Sequence, residues 1–129
     1  MTALTCRRLP LACILGGAVL LSLACGGLSE PECVGSVVYN GQTFTPESGV
    51  SDPDEAQRNA CNMYCRDADP EYEAMYGIWQ DSPQGNPSIS KQEAIFESDS
   101  LMTYVTETCA NRCVSDIASG AMQGSVTCE

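Results

Sequence analysis

The sequence predicts a mostly α, small disulfide-stapled helical domain: an antiparallel helix pair crosslinked by twin CX3C motifs, with an N-terminal β-hairpin and a candidate short C-terminal strand. Three observations carry that prediction. Cys61-x-x-x-Cys65 and Cys109-x-x-x-Cys113 each place two thiols one turn apart on a helix face. Apolar and β-prone residues flank Asn40-Gly41, a pair suited to a type I′ turn. From Leu101 onward, Met102, Val105, Cys109, Cys113 and Ile117 recur every three to four residues, which marks one helical face.

Each element follows in order. Val34 to Tyr39 and Gln42 to Thr45 form the two arms of the hairpin, and Pro46 to Gly49 ends it. Ser51 or Asp52 can cap a first helix, Pro53 suits its first turn, and Asp54 and Glu55 favour the positive end of its dipole. That helix runs to about Arg66, and Asp69-Pro70 punctuates it. Glu71 to Trp79 reads as a short second helix and residues 80–89, with Pro83, Gly85 and Pro87, as a loop. Ser90 and Glu93 match a capping box for a helix over about 91–97, which breaks near Asp99 or continues. Gly120 suits the stop of the last helix, and Ser125 to Cys128 reads as a terminal strand beside the hairpin.

The first 24 residues have a different character. Arg7 and Arg8 precede an apolar run from Leu9 to Ala24 that is shorter than the roughly 20 apolar residues a spanning helix needs. A charged start, an apolar middle and small residues before a cut describe a secretory signal. Leu21-Ser22-Leu23-Ala24-Cys25 resembles a bacterial lipobox, although Ser22-Leu23-Ala24 also fits an ordinary small-x-small cleavage site. The resemblance implies a lipoprotein whose mature chain begins at Cys25, diacylated through its sulfur. It divides the chain into a signal peptide (1–24), a lipidated cysteine with its spacer (25–32) and a single disulfide-rich domain (33–129). Its implied partners are the membrane, reached through the N-terminal lipid, and an envelope protein. Gly26 follows the cysteine where Asp would resemble an inner-membrane retention signal, so the implied location is the outer membrane.

The cysteine count agrees. Of nine cysteines, Cys6 and Cys13 leave with the signal and Cys25 takes lipid, which leaves Cys33, Cys61, Cys65, Cys109, Cys113 and Cys128. An even number in an exported chain suits a disulfide framework. Two antiparallel CX3C helices would set Cys61 opposite Cys113 and Cys65 opposite Cys109, leaving Cys33 to pair with Cys128. The twin spacing also resembles the twin-CX3C helical hairpins of the mitochondrial intermembrane space, with a longer separation between the two motifs. No chaperone activity is carried over from it.

Composition narrows the functions. All 17 acidic residues follow Cys25, against Arg58, Arg66, Lys91 and Arg112. Binding to nucleic acid or anionic headgroups depends on positive charge, so neither is an expected partner. There is no histidine, which removes the commonest general base and metal ligand and with them the histidine-dependent triads. Redox pairs usually have two residues between the cysteines rather than three. Asp67-x-Asp69-x-Glu71 lacks the glycine and terminal glutamate of a calcium loop and reads as a solvated turn. No enzyme activity, metal or cofactor is expected. Tyr72, Met75, Tyr76 and Trp79 form an i, i+3, i+4, i+7 stripe in the insert between the cysteine helices. Such a stripe packs a short helix or displays a binding surface. The expected function is a non-catalytic surface lipoprotein acting as a protein-binding or structural module. The alternative is a small-ligand or cation site using Tyr72, Tyr76, Trp79 and nearby acids.

Overall fold

The hairpin comes first and sets the sheet. A computed structural model describes residues 30–129; the expected signal peptide, the expected lipidation site Cys25 and most of the expected spacer lie outside the described residues. β1 (Cys33–Tyr39) turns at Asn40 and Gly41 into β2 (Gln42–Phe44). Both turn residues have positive φ, 50° and 79°, as a type I′ turn requires. β3 (Gln123–Cys128) pairs antiparallel on the other side of β1, giving the order β2-β1-β3. The strand therefore starts two residues earlier than Ser125, and its partner is the first arm of the hairpin. Along β1, Cys33, Gly35 and Val37 are buried and Val34, Ser36 and Val38 are half-buried on the opposite face, the alternation of a sheet covered on one side.

The cover is α1 (Pro53–Ala68). Asp52 caps it, its carboxylate accepting from the backbone N–H groups of Asp54 (2.7 Å) and Glu55 (3.1 Å). Ala56 and Ala60 keep its inner face small, and a Cβ on Gly35 would collide with the backbone of Ala56. Helix and strand run in the same direction: Gln57 reaches the Ser36 carbonyl (3.4 Å), and Tyr64 packs on Tyr39 at a ring-centroid distance of 5.0 Å. The C-terminal end of α1 thus lies beside the hairpin turn. The first described residues lie at the other end, where Glu32 and Glu129 exchange backbone hydrogen bonds of 2.9 and 3.1 Å.

An insert springs from the end of α1. It comprises α2 (Pro70–Gln80), a loop, α3 (Lys91–Glu97) and α4 (Asp99–Thr103). The Ser90–Glu93 capping box starts α3, and Ser98 ends α3 and caps α4 through Leu101 N–H (3.4 Å). A π-helical turn (Tyr104–Cys109) then leads into α5 (Ala110–Ser119), which stops at Gly120 in the left-handed conformation, φ 80°. The anticipated continuous face from Met102 to Ile117 is therefore interrupted. Leu101, Tyr104, Val105, Cys109, Ala110 and Cys113 are buried, while Met102 and Ile117 are only half-buried.

α5 runs antiparallel to α1, and the bridges follow. Cys61–Cys113 crosslinks α1 to α5 and Cys65–Cys109 crosslinks α1 to the last residue of the π-helical turn, with Cα separations of 5.8 and 5.9 Å, and Cys33–Cys128 ties β1 to β3. Four of these six sulfurs sit in the core with Val37, Phe44, Tyr64, Tyr72, Leu101 and Val105. No helix among the described residues is long and apolar enough to cross a membrane.

Candidate functional site

The aromatic stripe of α2 turns inward. Tyr72 is buried, stacked on Tyr104 at 6.5 Å, and its hydroxyl donates to the Lys91 carbonyl. Trp79 is nearly buried and stacks on Tyr76 at 6.2 Å. Met75 and Tyr76 are half-buried, and the Tyr76 hydroxyl donates to the Ile89 carbonyl (2.6 Å) while accepting from Gln80 Nε2 (2.6 Å). These side chains hold the insert's loop and α3 against α2. Of the two roles open to the stripe, packing accounts for Tyr72, which is core, and for most of Trp79, while Met75 and Tyr76 keep an edge to solvent.

What the insert does display lies off the stripe. Ile78 on α2 and Phe96 on α3 are each 74% exposed, the two large apolar side chains most open to solvent among the described residues. Beside Ile78, Met75, Trp79 and Leu101 form the apolar floor of a groove of about 410 Å³, edged by Ser82 and Gln84. The loop that edges it is tight: a Cβ on Gly85 would collide with the carbonyl of Trp79, so the chain needs glycine there. Periodicity did not single out Ile78 and Phe96, because a residue off the apolar face is normally polar and nothing else flags an exception.

The acids near α2 are engaged. Asp67, Asp69 and Glu71 were expected to form a solvated turn, and for Asp69 that reading is overturned, because it is only 3% exposed. Its carboxylate caps α2 by accepting from Tyr72 N–H (3.0 Å), and it accepts from Arg112 Nη2 (2.8 Å), the Tyr104 hydroxyl (2.7 Å) and the Tyr64 hydroxyl (3.4 Å). Four donors compensate its burial. Glu71 takes the other guanidinium nitrogen of Arg112 (2.9 Å), Asp67 pairs with Arg66 (2.8 Å) and Glu73 with Lys91 (2.6 Å). Burial, and then the Asp69 charge, push the Tyr64 hydroxyl up to about 12. Burial also raises Tyr72 to about 12 and, with its hydrogen bonds to Asp69 and Glu71, raises Tyr104. The Arg112 and Tyr104 hydrogen bonds hold the Glu71 carboxyl below its usual range.

Among the described residues no three acid, cysteine or histidine side chains converge where a metal ion could sit. No protein-family model matches this chain, and no curated protein or solved structure matches it, so any functional reading stands on the geometry of its own surface.

Proposed function

We propose that the protein is a non-catalytic lipoprotein of the bacterial envelope, anchored through Cys25 and binding a protein partner through the helical insert. The observation that carries this reading is the placement of Ile78 and Phe96. Both are 74% exposed, and both belong to an insert that springs from the far end of α1, away from where the chain joins its tether. Ile78 extends the apolar floor formed by Met75, Trp79 and Leu101, and a continuous apolar surface on a small acidic domain favours burial against a partner. A spacer of residues 26–32 would let the domain stand at most about 25 Å from the lipid, enough for a partner to reach the insert. Disulfides and the Asp69 network hold the surface rigid, which reduces the entropy lost on binding.

The test uses a photo-crosslinking residue at position 78 or 96 in cells. The expected result is a discrete adduct with one envelope protein from both positions, and none from the exposed Thr43 on the sheet. Equal, diffuse labelling from all three positions would count against the reading. For the anchor, Cys25→Ser should shift the protein from the detergent-rich to the aqueous phase on phase separation; unchanged partitioning would remove the lipid from the proposal.

A further inference from the structure

A second concavity lies away from α2, along one face of α1. Asn59, Asn62, Met63 and Arg66 share that face at helical spacing, opposite Ile95 of α3 and Val105 of the π-helical turn. Thr106 and the Glu47–Ser48 segment after β2 complete a cavity of about 510 Å³, within the roughly 300–1,000 Å³ typical of small-ligand sites.

Two independent features mark it. The side-chain oxygen of Asn62 is buried and accepts a hydrogen bond from no group among the described residues. Buried polar groups are nearly always paired, so an orphan acceptor beside a cavity asks for a donor. The second feature is the wall itself. π-helical turns are rare and recur where function retains them, and this one contributes Val105 and Thr106 to the lining. The bridges Cys61–Cys113 and Cys65–Cys109 flank Asn62 and join α1 to the segment that carries the wall, so the cavity is formed before anything binds.

We propose that this cavity binds a zwitterionic amino acid or dipeptide with an apolar side chain. The lining supplies one group of each kind. Arg66 spends Nε and Nη2 on Asp67, at 2.8 and 3.1 Å, and has Nη1 for a carboxylate. Glu47 complements an ammonium group, and the Asn62 amide, whose Oδ1 is sealed from solvent as it stands, can turn about its last torsion to offer that oxygen to an N–H. Met63, Ile95 and Val105 form the apolar floor. No aromatic ring lines the cavity, which disfavours a sugar or nucleobase that would be held by stacking.

The experiment is a titration of the native, detergent-solubilised, isotope-labelled protein with free leucine, the dipeptide Leu-Leu and uncharged N-acetyl-leucinamide, followed by amide chemical shifts. A zwitterionic probe should give saturable shifts confined to the Asn59–Arg66 and Val105–Thr106 segments. Asn62→Leu and Arg66→Gln should each weaken it roughly tenfold while keeping a folded spectrum. Asn62→Asp retains the acceptor and should bind better than Asn62→Leu, which separates lost recognition from lost folding. The proposal is overturned by no saturable shift up to about 10 mM, where a millimolar binder would be close to saturated. Shifts indifferent to both substitutions, or equal binding of the uncharged analogue, would also overturn it.

Discussion

Asp69 shows how much one side chain can organise. A carboxylate at the junction of two helices reads from sequence as a turn residue, because nothing local announces that Tyr64, Tyr104 and Arg112 will close over it. Those partners lie 5, 35 and 43 residues away, and only the last two come from the far side of the insert. Replacing Arg112 with Gln leaves the buried charge short of a cation. The expected loss of unfolding free energy is about 1–2 kcal/mol, less than the roughly 3–5 kcal/mol of a fully buried pair, because the Arg112 side chain is 45% exposed. A urea titration at neutral pH measures it. The buried tyrosines give a pH dependence at the same scale. Tyr64 and Tyr72 hold their protons more tightly folded than unfolded, at about 12 against 10.0. Their contribution is therefore complete below about pH 10 and lost as pH rises through 12. The urea midpoint should fall across that window, and Tyr72→Phe should flatten the fall.

At the scale of elements, the staples were the most legible feature. Helix geometry requires thiols four residues apart to share a face, so an antiparallel partner leaves little choice of pairing, and Cys61–Cys113 with Cys65–Cys109 is the result. The hairpin was equally plain from Asn40-Gly41. The π-helical turn was invisible, since it changes the winding without changing residue types and keeps Val105, Cys109 and Cys113 at their four-residue spacing. The closeness of α1 to β1 was also hidden in a single glycine. Gly35→Ala would drive a methyl group into the Ala56 backbone and should cost about 1–3 kcal/mol by thermal or urea unfolding. Converting Cys65 and Cys109 to serine removes the innermost bridge; with Cys61–Cys113 intact the path it closes is only about eight residues, so the chain-entropy account gives a cost of about 2–3 kcal/mol. A midpoint that does not move would show that the remaining two bridges already restrict the unfolded chain.

Across the whole molecule, charge and fold are segregated. The three strands, Cys33–Tyr39, Gln42–Phe44 and Gln123–Cys128, carry no charged residue, and the acids sit on the helices, loops and ends. Intact-mass measurement of the native protein should return a chain beginning at Cys25 with diacyl mass and no free thiol; a free cysteine would break the count that assigns Cys25 to lipid. The bridges are also nested, at separations of 95, 52 and 44 residues, and the outermost sits at the start of β1, where the proposed lipid tether would join the domain. That nesting has a mechanical consequence. Tension applied from the N-terminal side would be relayed at Cys33 into the C-terminal strand through a covalent bond, before the β1–β3 ladder beyond it carries the load. Pulling on the insert can then draw out only the slack between successive bridges, so the domain yields in stages and stops. A single protease cut in the 81–89 loop likewise releases nothing, because both halves remain joined by all three bridges.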